Sequence, residues 1–139
     1  MGQQLQARMA KLQEELESQS FSAGAGGGMV TATVDGKGGL TAVSIDGAVV
    51  DPADVEMLED LVLAAVAEAQ KKAREHYERR LTLCRETGNR YGEANATGNL
   101  GLVFFDEGRL AEAREHDERY LVISREIGDR YREALAIGY

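Results

Sequence analysis

Two histidines, one cysteine and a glycine run are the residues whose types could do chemistry here. His76 and His116 stand 40 residues apart. No Cys or acidic cluster at metal-ligand spacing accompanies them, so they predict no metal site. Cys84 falls on a helical pattern with no base that the sequence can place beside it. Gly26-Gly27-Gly28 has the composition of a phosphate loop. It lacks a Gly-Lys-Ser/Thr ending and leads into a strand rather than a helix, so it reads as backbone that bends or approaches another strand closely. Glu75 with Arg79, and Glu115 with Arg119, have the i,i+4 spacing of surface ion pairs. No nucleophile, base and oxyanion donor group together. The expectation is a non-enzymatic protein with no cofactor and no metal.

The elements that carry these residues come from a chain of 139 residues with 16 Lys+Arg against 24 Asp+Glu, a net charge of −8. An acidic balance argues against coating nucleic acid by bulk charge. Hydrophobic residues make up 43%, enough for a packed core. A single Cys excludes an intramolecular disulfide framework and fits a cytoplasmic setting. No apolar run reaches the ~18 residues of a membrane span, and Met1–Gln6 lacks the layout of a signal peptide. The charge is unevenly spread. Residues 1–72 hold 5 basic and 11 acidic residues, whereas residues 73–139 hold 11 Arg, no Lys and 13 acidic residues. Two sequence types meet near residue 72.

Leu5, Met9, Leu12 and Leu16 form one apolar helical stripe, the pattern of a packing or dimer seam. Met29–Val34 alternates with β-branched residues, Asp35–Gly39 is turn-rich, and Leu40–Ile45 is a second strand, which together predict a β-hairpin. Ser20–Ala25 is a candidate for a short earlier strand. Asp51-Pro52 predicts a helix start, with Asp as N-cap and Pro in the first turn. Val55, Leu58, Val62, Ala65, Val66 and Ala69 supply the apolar face of that helix.

Met9–Leu16, Gly26–Val30, Val34–Gly38 and above all Val50–Val66 resemble the YbaB/EbfC nucleoid-associated protein family over about residues 4–72. The resemblance implies a dimer formed through the sheet, helical arms, and DNA binding in the bacterial nucleoid. It implies that basic residues near the arms touch DNA, here Arg8, Lys11, Lys71 and Lys72. Members are often acidic overall, which weakens the argument from net charge. This chain departs from the family in its late-starting first helix and in a last helix that runs on.

It runs on into a repeat. A shift of 40 residues lays residues 73–99 on 113–139 with 16 of 27 positions identical. A fixed period of this length predicts a solenoid of helical units. Helices are expected to end at Gly88-Asn89, at Glu107-Gly108 and at Gly128-Asp129, with a fourth starting near Tyr131. Ala94, Ala96, Gly98, Gly101 and Ala113 stand where helices would cross closely. Asn99-Leu100-Gly101, Phe104, Gly108-Arg109-Leu110 and Ala113 resemble tetratricopeptide (TPR) repeats. Asp117 departs from that pattern, where a large apolar residue is usual, and Tyr120 replaces a small one. The pair reads as a local exchange of volume. The resemblance implies a concave face for a peptide or protein, carried here by Asn95, Asn99, Leu102 and Phe105. Residues 89–128 make one whole repeat, fewer than the ~3 that solenoids usually need. Leu135, Ile137 and Tyr139 would then be covered only by another chain, so either the array is truncated or protomers exchange a helix.

Glu56–Glu86 contains neither Gly nor Pro. It predicts one continuous helix across the junction, roughly 35 residues from Pro52 and about 50 Å long. The expected architecture is α+β: a helix, a two- or three-stranded antiparallel sheet, and a long helix continuing into an α-α solenoid fragment. The domains are 1–72, for dimerisation and DNA binding, and 73–139, for the TPR-like fragment. The expected partners are a second copy or higher homo-oligomer, double-stranded DNA, and a peptide or protein on the concave face, with no membrane. The alternative is a natural or engineered fusion acting as an oligomeric interaction scaffold, with DNA binding incidental or lost.

Overall fold

The computed structural model describes Gln3, Gln4, Gln6, Ala7, Lys11 and residues 18–136, with side chains as far as Gly128. The expected stripe of Leu5, Met9, Leu12 and Leu16 lies outside the described residues. Three strands, β1 (Ser20–Ala25), β2 (Val30–Asp35) and β3 (Leu40–Ile45), form one antiparallel sheet in that order. The fold is α+β: three helices follow the sheet, α1 (Val55–Glu86), α2 (Arg90–Asp106) and α3 (Leu110–Ala136). The chain divides into two compact units, Met1–Ala73 and Arg74–Tyr139.

In the first unit the hairpin follows from alternation. Val30, Ala32 and Val34 are fully buried, and the intervening Thr31 and Thr33 are not. The register pairs Ala23 with Ala32 and Ala32 with Val43, so these residues share the sheet's inner face. The β2–β3 turn closes on Asp35, whose carboxylate accepts from the backbone N–H groups of Lys37 and Gly39 at 2.9 and 3.0 Å. A register shift at Thr33/Val34 then sets Leu40 opposite Val34.

Helix α1 begins three residues later than the Asp51-Pro52 signal predicts. Asp51 makes a turn, accepting from Ala53 N at 2.9 Å. The N-cap is Asp54, whose carboxylate accepts from Met57 N at 3.2 Å. The first unit buries Ala65 and Ala69 of α1 completely. Gln70 donates to Gly38 O at 3.3 Å and Lys72 to Ser22 O at 2.8 Å, which ties the helix to the sheet. Alanines on the buried side allow that close approach.

The second unit is the end of α1 with α2 and α3. Gly88 and Gly108 take φ of +70° and +78°, and Asn89 N and Arg109 N reach back to Cys84 O and Phe104 O at 2.9 and 2.8 Å. Both helices therefore end in the left-handed glycine turn that the sequence predicts. Asn89 then caps α2 by accepting from Gly92 N at 2.9 Å. Tyr77, Leu81 and Cys84 of α1 and Ala94, Ala96, Leu100, Val103 and Phe104 of α2 are buried.

The α2–α3 contact uses the small residues. A Cβ on Gly98 would lie 3.0 Å from the Tyr120 ring, and one on Gly101 only 2.4 Å from Asp117 Oδ1. Tyr120 and Asp117 thus each lie over a glycine. The expected helix end at Gly128-Asp129, and the fourth helix after it, are corrected: α3 continues through both residues to Ala136. Gly128 is not among the glycines with positive φ, so no turn of the Gly88 kind forms there.

Candidate functional site

Two surfaces of the first unit stand out, one apolar and one basic. β3 carries Leu40, Val43 and Ile45 on the same inner face as Val34, Ala32 and Val30. The β2 residues are fully buried, yet Leu40, Val43 and Ile45 are 51%, 40% and 42% exposed. Every residue of β3 is exposed. Among the described residues, half of a core-forming face thus lies open beside a strand edge with no partner strand. Alternation told which way these residues point. It carried no signal of their exposure.

Helix α1 is electrically divided. Residues 55–70 carry Glu56, Glu59, Asp60 and Glu68 and no basic residue, whereas residues 71–86 carry Lys71, Lys72 and four Arg against three Glu. Lys71 and Lys72 are consecutive and exposed at the start of the basic stretch. Lys72 spends one ammonium donor on Ser22 O and keeps others for a second acceptor. Lys11 is an exposed helical residue. Arg8 lies outside the described residues. Lys71 and Lys72 are neighbours in sequence, and the fold sets Lys72 against β1.

In the second unit, Asn95, Asn99, Leu102 and Phe105 fall on one side of α2. Both Asn are half-buried, Leu102 is exposed, and Phe105 is 63% exposed. Tyr91, 61% exposed, extends this stripe by one turn before Asn95 and was not singled out by sequence. The i, i+4, i+11, i+14 spacing of Tyr91, Asn95, Leu102 and Phe105 was the available signal. The stripe is neutral, in contrast to its surroundings. Arg74 pairs with Glu107 and Glu78, Arg90 with Glu93 and Glu126, and Arg85 with Glu93 at 3.5 Å. The expected Glu75–Arg79 and Glu115–Arg119 pairs are not among the ion pairs of the described residues. Arg79, Glu115 and Arg119 are exposed, where little holds two long side chains together.

The remaining chemistry-bearing groups are taken up by packing. His116 Nδ1 lies 2.8 Å from Glu112 O, and its ring tilts against Phe104 at 4.9 Å. Burial and then the charges of Arg80 and Arg79 hold His76 below the ordinary imidazole range. Cys84 is buried beside Gly92. Among the described residues no three His, Cys, Asp or Glu converge as metal ligands, and no helix is long and apolar enough to cross a membrane.

A family model of the YbaB/EbfC DNA-binding family matches residues 1–84. The chain belongs to the YbaB/EbfC family. Its relatives include a nucleoid-associated protein of Gemmatimonas aurantiaca, 59% identical over 69 residues, which are 50% of this chain and 66% of that one. A nucleoid-associated protein of Clostridium acetobutylicum is 52% identical over 73 residues, 52% of this chain and 65% of that one. One from Moorella thermoacetica is 48% identical over 83 residues, 60% and 78% of the two chains. The chain thus spans just under two thirds of the first two relatives. A tetratricopeptide-repeat model matches residues 56–126, so YbaB/EbfC and repeat matches overlap along α1. A crystal structure of an uncharacterized protein from Helicobacter pylori is similar with a TM-score of 0.44 at 22% identity, covering 55% of this chain and 89% of that one.

Proposed function

We propose that this chain is a non-enzymatic, dimeric DNA-binding module of the bacterial nucleoid. Membership of the YbaB/EbfC DNA-binding family is the observation that carries the reading. The open inner face of β3 supports a dimer. Two copies set edge to edge would pair their free backbone groups and cover Leu40, Val43 and Ile45 against one another. Arg8, Lys11, Lys71 and Lys72 are the proposed phosphate contacts. A dimer doubles their number to eight, against a net charge of −16 for the two chains together. Binding of this kind reads backbone charge and carries little sequence preference. The setting is the cytoplasm, on the nucleoid.

The part from residue 73 onward is proposed to add a TPR-like protein-interaction surface. Asn95, Asn99, Leu102 and Phe105, with Tyr91, would take a peptide or protein along α2. The exposed apolar side chains of that stripe favour this second role. A gel shift with a duplex at low and at moderate salt separates the two readings. A shift at low salt that fades steeply supports the DNA module. No shift at low salt leaves an interaction scaffold, natural or engineered, as the function.

A further inference from the structure

The arginines that α1 gives to the second unit fall into two groups. Arg74 and Arg85 are taken up by carboxylates. Arg74 pairs with Glu78 on its own helix and with Glu107 at the end of α2, and Arg85 reaches Glu93 of α2 at 3.5 Å. Arg79 and Arg80 are exposed and make no ion pair among the described residues. Glu75, one turn before Arg79, is not paired with it.

The two groups lie on different sides of the helix. His76, Arg79 and Arg80 are three and four residues apart and so share a face. That face borders the buried stripe of Tyr77, Leu81 and Cys84 on one flank, and Arg74, Glu78 and Arg85 border it on the other. His76, half-buried, responds to the two charges: after burial, Arg80 and then Arg79 push its pKa down. The arginines of α3 stand in a different setting. Arg114, Arg119 and Arg125 are exposed too, but five carboxylates lie among them between Glu112 and Glu126.

Consecutive residues on a helix splay by about 100°, so Arg79 and Arg80 do not close around one small anion. They suit an extended polyanion, which can offer each of them a separate phosphate. One strand of a duplex carries a phosphate every ~3.4 Å of its axis, and the planar guanidinium takes two phosphate oxygens at once. We propose that Arg79 and Arg80 bind the phosphate backbone of double-stranded DNA, which gives the second unit a nucleic-acid contact of its own. The inference rests on the DNA-binding reading above and adds two residues to it.

The test measures duplex binding by the full-length chain against salt concentration. Arg79→Gln/Arg80→Gln should make the log–log slope shallower by about 0.9 for each contact removed, about 1.8 for the pair, and Arg79→Gln alone by about 0.9. Arg79→Lys/Arg80→Lys keeps both charges and should keep the slope. Arg114→Gln/Arg125→Gln removes the same net charge from α3 and should leave the slope as it is. Equal slopes for the two Gln pairs overturn the proposal. If both match the wild type, the α1 arginines are left for an acidic protein partner; if both fall alike, the effect is one of net charge. A slope that responds to Lys71→Gln/Lys72→Gln but not to Arg79→Gln/Arg80→Gln overturns this inference and spares the DNA-binding reading. A wild-type chain that binds no duplex at about 50 mM salt overturns both.

Discussion

Val43→Asp is the most informative single change in the first unit. Val43 stands directly opposite Ala32 on the inner face, yet is 40% exposed. Fully burying a Val, Leu or Ile side chain is worth about 1.5–3 kcal/mol. Scaled by their exposures of 51%, 40% and 42%, Leu40, Val43 and Ile45 would together add about 2–4 kcal/mol per protomer when covered. Two protomers make that about 4–8 kcal/mol, comparable with the ~4–15 kcal/mol cost of association. Backbone pairing along β3 would supply the rest in the proposed dimer. An aspartate at the centre of this face loses the apolar contribution and adds a carboxylate with no partner, opposite its symmetry mate. The expected outcome is a dimer weakened by at least about a hundred-fold, on the order of 3 kcal/mol. Because Val43 is already part-exposed in the single chain, its secondary structure by circular dichroism should be unchanged. Sedimentation equilibrium on the wild type and the variant reads the shift. If both sediment alike across micromolar concentrations, the β3 face is not the dimer contact and the reasoning from its exposure fails.

Other outcomes follow from the packing. Gly92→Ala, which drives a Cβ against Cys84 Sγ, should lower stability by about 1–3 kcal/mol, and Cys84→Ala in the same chain should recover part of that loss in urea unfolding. His76 has a folded pKa below its unfolded value, so the unfolded chain takes up the proton first as pH falls. Stability should therefore decline with falling pH, starting near the unfolded histidine value of about 6.5, and the decline between about pH 7.5 and 5.5 should shrink in His76→Gln. An equal decline in the variant would assign the pH dependence to other groups.

The strands were legible because Val30, Ala32 and Val34 alternate with threonines, and the long helix because no Gly or Pro interrupts Glu56–Glu86. The start of that helix was misplaced by three residues. Asp51 and Asp54 both carry the capping side chain, and only the fold decides which meets a free N–H. The end of α3 was misread for a different reason. Thr87-Gly88-Asn89 and Ile127-Gly128-Asp129 look alike locally, but the first is closed by Gly92 packed on Cys84, and the second has Arg132 and Ser124 at those two positions. That difference lies in tertiary packing, beyond the reach of turn chemistry. The basic pair Lys71-Lys72 was found through family resemblance; its position beside Ser22 came from the fold. The open face of β3 has no sequence signature, because an uncovered apolar strand and a covered one are written with the same residues.

In the proposed function the dimer holds DNA through phosphate contacts that include Lys71 and Lys72. Fluorescence anisotropy of a labelled duplex, titrated at several salt concentrations between about 50 and 200 mM, measures these contacts. Binding is expected at the low end and should weaken linearly on a log–log plot, with the slope reduced by about 0.9 for each lysine–phosphate contact removed in Lys71→Gln/Lys72→Gln. A duplex that stays unbound at about 50 mM salt, or a slope unchanged by the double substitution, would contradict it.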